Sequence, residues 1–496
     1  MMGAVSFRAP SAPSPRTVAG SRRLAGFSVG TGEPLRITRD PLRVTLFVVT
    51  ILTISRVHQH YPFLAPLRPV LLLVIASAAY AYLNPRSLTR VNVLTLWPMK
   101  LIALLAVLAC SSAVFGISLG ATAHYILETY AKTILYAFLI AMSIRTVRDL
   151  YTFVWAYVVA CGILVYFSLF VFRISKASVS YVARLDHLYM YDSNDLGLVV
   201  MIGFALTLLL LVVARGVSRW LLILNLIGIL ATTARSGSRG GFLGLVVMGG
   251  AALVLVKGVT VSRRISFLVV ALLALAIGAP AGYWTQMGTL LQPKDDYNYS
   301  TVDGRRAVAQ RGLGYMIKYP LFGLGISNFP RAECTISPKL EDLDRTGPIR
   351  CTAPHNSYIE AGAELGVPGL IVWISLLVGG IVTMLRMRGR LPPSWRRGSD
   401  SQRFLYGATT FFPLALISFA VTAFFVSFAW LDPLYLMSAF IGGWYIAMRG
   451  QRQLATGPNA GGVTSSVGRA RRMPGWRVVR SAQRLASAGR QPLGSE

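Results

Sequence analysis

Acidic residues are scarce in this chain: 19 Asp and Glu stand against 49 Lys and Arg in 496 residues. Charge of either sign makes up only 14% of the sequence, while 54% is hydrophobic. That balance excludes an ordinary soluble globular protein, in which roughly a quarter of residues are charged. The first 40 residues contain no apolar run long enough for the core of a secretory signal. They read instead as a disordered basic tail rich in Arg, Ser, Pro and Gly. The chain has only four cysteines, and these show no metal-ligand spacing. There is also no dense run of Asp, Glu or His, so neither a metal nor another cofactor is expected.

What the chain does have is apolar runs of the length that spans the roughly 30 Å hydrocarbon core of a bilayer as a helix. They fall at about 42–58, 67–83, 97–116, 123–143, 149–172, 194–214, 219–234, 241–257, 265–284, 366–386, 404–428 and 431–448. The expected fold is an all-α polytopic membrane protein with about 12 transmembrane helices and one long external loop containing short helices. The expected plan is a disordered basic tail over 1–40, a transmembrane domain over 41–450 with the loop at 285–365, and a second disordered basic tail over 451–496.

The net charge of +30 does not call for nucleic acid. Lys and Arg gather in short segments at alternate span boundaries, as Arg86 and Arg90, Arg145 and Arg148, Arg215 and Arg219, Arg263 and Arg264, and the cluster from Arg386 to Arg403. By the positive-inside rule both termini are cytoplasmic. The tail after Arg449, with Arg471, Arg472, Arg477 and Arg480, suits anionic membrane lipid or a protein partner. The exceptions to the rule, Arg235, Arg239 and the 285–355 segment, then share the outer face, where bound anionic substrate is one reason for cations to be.

Cys110 and Cys161 lie in apolar spans and read as small buried hydrophobes. Cys334 and Cys351 lie in the external loop, where either a disulfide or free thiols are open. A bridge closing so short a loop stabilises by roughly 3 kcal/mol. Glu128 and Lys132 are the clear charges within a span, four apart on one helix and spaced to pair with each other.

Between the last two greasy regions runs the longest hydrophilic stretch, from DGRRAVAQRGLGYMIKYPLFGLGISNF to PHNSYIEAGAELGVPG. A helix is expected from about 303 to 318, ended by Pro320, with Arg305 and Arg306 pointing about 100° apart and Arg311 a further turn on. One of the first two can face a cavity while the other meets solvent.

His355, after Pro354 and before Asn356, stands at the entry to a helix that includes Tyr358, Glu360 and Glu364 and breaks at Gly366 or Pro368. A histidine there can deprotonate a hydroxyl near neutral pH or simply sit at a membrane interface. In ARSGSRGGFLGL, Arg239 precedes Gly240 and Gly241 at a helix start. That arrangement suits either a phosphate on backbone N–H groups or an interfacial arginine beside close helix packing. In YMYDSNDLG, Asn194 and Asp195 read as helix caps or as groups that hold sugar hydroxyls.

Taken in order, SRGG at 238–241, a Gly-Arg pair followed by Pro-Leu-Phe-Gly-x-Gly-x-x-Asn-Phe, and HNSYIEAGAELGVPG resemble the bacterial O-antigen ligase and O-antigen polymerase superfamily over about 190–385. The resemblance implies a GT-C-like fold and a metal-independent, inverting glycosyltransferase of the bacterial inner membrane with a periplasmic active site. The implied donor is an undecaprenyl-diphosphate-linked glycan, and the implied acceptor is lipid A-core or a growing glycan. By position, Arg239 and Arg305 would bind diphosphate and His355 would be the base. Arg306, Arg311, Asn356, Tyr358, Asn194 and Asp195 would be substrate-binding. DSNDLG departs from the family's DPND-type loop at Ser193.

The chemistry suits these residues. Breaking a sugar–diphosphate bond builds negative charge on the leaving oxygen, and guanidinium groups grip phosphate oxygens in bidentate fashion while remaining charged. A different class of function, a transporter or flippase of lipid-linked oligosaccharide, would use the same arginines for binding alone.

Overall fold

The computed structural model describes residues 34–64, 66–176, 183–186, 191–280, 282–292, 301–342 and 350–456. Most of the two basic tails, including Arg471, Arg472, Arg477 and Arg480, lies outside the described residues. One compact unit comprises residues up to Gly450, and the tail from Gln451 forms a second.

Helices α1 (Pro41–Ser55), α2 (Pro69–Leu83), α3 (Trp97–Phe115), α4 (Leu119–Ser143) and α5 (Val147–Val171) come first, followed by a short antiparallel ribbon of β1 (Arg173–Lys176) and β2 (Ala183–Asp186), with Arg173 opposite Asp186. Then come α6 (Ser193–Leu211), α7 (Gly216–Ser236), α8 (Arg239–Leu255) and α9 (Val261–Gly278). The hydrophilic stretch forms α10 (Tyr283–Gly288), α11 (Arg305–Lys318), α12 (Phe329–Thr335) and α13 (Lys339–Asp342). The chain ends with α14 (Ser357–Arg390), α15 (Asp400–Thr422) and α16 (Asp432–Thr456).

Each expected span coincides with a helix, yet among the described residues nine are long and apolar enough to cross a membrane, against the twelve expected. Two of the others, α1 and α8, have 15 and 17 residues. At 1.5 Å per residue they reach only about 22 and 26 Å, short of a full hydrocarbon core. The third, α16, is diluted in hydropathy by Gly442, Gly443, Trp444, Tyr445 and Arg449.

Helix α6 is the centre of the bundle. Its apolar window is 83% buried, against 11% for α9, and it packs on α5, α7, α8 and α15. The peripheral helices expose large apolar side chains instead, such as Leu72 and Ile75 on α2, Trp220 and Leu224 on α7, and Phe267 and Ile277 on α9. Apolar area of that extent is at home against lipid tails. Cys161 is buried, but Cys110, expected to be buried, lies on the exposed face of α3 beside Val107 and Val114.

The spacing of Glu128 and Lys132 misleads. Glu128 pairs with Arg68 at 3.2 Å, because Arg68 comes to it from the N-terminus of α2. The intervening stretch of α4, Ile126–Tyr130, is wound as a π-turn, which changes the side-chain spacing that i,i+4 pairing needs.

Candidate active site

Two motifs of the hydrophilic stretch interlock. Helix α14 leaves helical geometry at Gly366 (φ 69°), and the turn after α11 contains Gly323 (φ 67°). A Cβ on Gly366 would lie 2.6 Å from the Pro320 carbonyl oxygen, and one on Gly323 would strike the Glu364 backbone. Leu324 N–H donates to Ala363 O (2.8 Å), Gly325 N–H to Glu364 O (3.0 Å) and Val367 N–H to Pro320 O (2.8 Å). The PLFGLG and AELGVPG segments are thus two halves of one joint, which needs glycine for its sign of φ and its close approach.

The side chain of Glu364 extends the joint. Its carboxylate accepts from the Ser327 N–H (2.6 Å), the Phe329 N–H (2.9 Å) and the Trp430 indole N–H (2.6 Å). Next to it, the Glu360 carboxylate accepts from the Ala429 N–H (2.9 Å), and the Ser357 hydroxyl donates to Val426 O while accepting from the Phe428 N–H. The segment between α15 and α16 is therefore stitched to the start of α14 nearly residue by residue.

That segment gathers the expected site residues. The His355 N–H donates to Ser427 Oγ (3.0 Å). The Arg305 guanidinium lies 5.9 Å from the centre of the Phe425 ring, close enough for a cation–π contact. Gly240, next to Arg239, packs against the same residue, where an added Cβ would lie 3.0 Å from Phe425 Cβ. Phe425 thus brings the start of α8 and the start of α11 together, with His355 two residues along. Arg239 itself donates to Thr289 Oγ1 at 2.9 Å.

Arg239 and Arg305 are each the first residue of a helix, and neither helix has an acidic residue in its first turn. A helix dipole disfavours a cation at that end by about 0.3–1 kcal/mol. An anion there would meet both free backbone N–H groups and a guanidinium. Two such helix starts meet at Phe425.

His355 has φ 46°, in the left-handed region that costs a non-glycine residue about 1 kcal/mol or more. Burial lowers its pKa from the ordinary value and the Arg305 charge lowers it further, against an opposing effect of Asp192. The imidazole is therefore neutral at pH 7 and able to accept a proton.

Arg239, Arg305 and His355 thus share one neighbourhood, and the other candidates each make contacts of their own. Arg306 is exposed while Arg305 is half-buried, the division that their 100° separation allows. Arg311 is committed to Glu333, with Nε 3.0 Å and Nη2 2.5 Å from the carboxylate, and to the Val302 carbonyl. Asn356 caps α14 by accepting from the N–H groups of Tyr358 and Ile359, and Tyr358 donates to Ala420 O (2.8 Å) and packs on Phe424 and Trp373. Asp195 completes a capping box with Asp192 at the start of α6. Asn194 Oδ1 accepts from Ser238 Oγ (3.2 Å), tying α6 to the turn before Arg239. Cys334 and Cys351 are bonded, with Cα atoms 5.1 Å apart, and close the loop after α12. Among the described residues no three of His, Cys, Asp and Glu converge as a metal site.

Sequence reasoning missed the Phe425–Asp432 segment. Its signal was the two residues left between the expected spans 404–428 and 431–448, too few for a plain turn, together with Ser427 and Asp432 in an otherwise aromatic run.

Residues 224–374 match the O-antigen ligase family model. That segment is similar to the O-antigen ligase family. The match, together with the apolar helices, supports a membrane enzyme of surface polysaccharide biosynthesis. No curated protein matches it. The ligase-like segment contains Arg239, Arg305, His355 and Glu364, whereas Asp192 and the Phe425–Asp432 segment lie beyond the match.

Proposed function

We propose that the protein transfers a glycan from a polyprenyl diphosphate to an acceptor hydroxyl, on lipid A-core or on a growing glycan, at the periplasmic face of the bacterial inner membrane. The acceptor oxygen attacks the anomeric carbon as the bond from that carbon to the diphosphate oxygen breaks. The electron pair leaves with the diphosphate, and the acceptor proton passes to His355. A single displacement inverts the anomeric centre. Arg239 and Arg305 supply positive charge where the leaving oxygen becomes negative, in the role a divalent cation plays in other transferases. Asn194, Asn356, Tyr358 and Arg311 act as positioning residues, and Arg306 meets the donor from the exposed side.

The observation that carries this reading is the meeting of two arginine-first helix starts and a neutral, strained histidine around Phe425 and Ser427. Both termini are cytoplasmic in this reading, which puts these groups on the outer side. The test uses purified protein in detergent with a lipid-linked donor and a soluble acceptor, and follows release of polyprenyl diphosphate. His355→Ala is expected to slow transfer by about 10²–10⁴-fold. Arg239→Ala and Arg305→Ala should each slow it by about 10²–10³-fold, with the thermal melt retained. Wild-type rates in His355→Ala would remove the base from the mechanism. A requirement for two sealed compartments would replace transfer by transport.

A further inference from the structure

A cavity of 540 Å³, with mainly apolar walls and several charged side chains, opens at the C-terminal end of α1 and runs along α4. Its size suits a small ligand. Arg56 and Lys132 line it, and neither has a carboxylate within ion-pair distance among the described residues. Thr53, His58 and Gln59 also contribute to its lining. Thr53 and His58 are each only 9% exposed.

The backbone points the same way. Arg56 (φ 51°) and Arg68 (φ 43°) both hold left-handed conformations at the rim, and the π-turn of α4 falls on the lining wall. Strain and π-turns of this kind gather at functional sites.

Carboxylates also line the cavity. Asp432 accepts from Thr133 Oγ1 at 2.9 Å, and Glu128 is paired with Arg68. A bare phosphodiester brings no donor to Asp432, and a choline headgroup adds none. A sugar does, since its hydroxyls donate to carboxylates and accept from Arg and Lys, and its acidic substituent can neutralise the unpaired cations.

The cavity adjoins the transfer site through two short paths. Asp432 ends the segment that carries Phe425 and Ser427. The Arg56 guanidinium lies 4.6 Å from the ring centre of Tyr191, which stacks on Phe428 and precedes Asp192.

We propose that this cavity is a sugar subsite for a glycan bearing a carboxylate or phosphate, with the acidic group on Arg56 and Lys132. The inference rests on the transferase reading for its choice of a glycan. The test measures binding of a fluorescent trisaccharide ending in glucuronic acid, and of the same trisaccharide ending in glucose, to the full chain in phosphatidylcholine nanodiscs. The acidic sugar should bind about tenfold more tightly than the neutral one, and Arg56→Ala or Lys132→Met should each remove about that factor. His355→Ala should leave binding unchanged while stopping transfer, so loss of the transferase reading and loss of the subsite are told apart. Equal binding of the two sugars, no binding of either, or indifference to both substitutions would overturn the subsite. So would abolition of acidic-sugar binding when phosphatidylglycerol replaces part of the phosphatidylcholine, which would make the cavity a headgroup site.

Discussion

The two ends of α1 each present an arginine, and they are built in opposite ways. Arg43, in the first turn, is fully buried, 2.7 Å from Asp40 and 3.4 Å from Asp149, and donates to the carbonyls of Ser87 and Ser143. Arg56, just past the last turn, has a left-handed backbone, an aromatic face and a cavity. A cation saturated by its own protein holds helices together. One left facing a cavity is available to something else. Arg311 resembles Arg43, being gripped by Glu333 from another element of the chain.

The contrast can be broken most severely at Arg43. Arg43→Ala leaves Asp149 buried without its counter-charge and should cost about 3–5 kcal/mol, read as a large drop in thermal midpoint and loss of folded protein from the membrane. The hydrophilic stretch has a covalent tie as well, so Cys334→Ser should cost about 3 kcal/mol, with the wild type falling to the same stability in reductant. Arg56→Ala removes one cation–π contact and should cost under about 1 kcal/mol in the same melt. An Arg56→Ala penalty as large as that of Arg43→Ala would erase the distinction between the two ends.

The smallest change sharpens the comparison without touching stability. Asp192→Asn keeps a capping residue on α6 but removes a negative charge that raises the His355 pKa. The base must be neutral to act, so with its pKa lowered further the acid limb of the pH–rate profile should move to lower pH. A shift to higher pH, or none, would show that Asp192 does not act on the base.

Helices were legible because apolar runs of bilayer length admit few alternatives, and the break in α14 was legible at Gly366. The joint between PLFGLG and AELGVPG was not. Its two halves lie some forty positions apart, and the need for Gly323 appears only where the Glu364 backbone passes against it. Glu128 and Lys132 had the right spacing to pair, but Arg68 reached Glu128 from another helix. Arg305, Arg306 and Arg311 were indistinguishable as letters, and became distinct only in the fold, where Arg305 lies by Phe425, Arg306 is exposed and Arg311 is gripped by Glu333.

Composition and hydropathy alone determined that this is a helical membrane protein, because lipid forces backbone hydrogen bonds inward whatever the side chains do. The order of the motifs also told which residues to watch. Which cations are spent on the protein and which remain for a ligand was decided by tertiary structure, because a charge is neutralised by whatever comes within a few ångströms of it, and the partners of Arg43, Arg311 and Glu128 come from other elements of the chain.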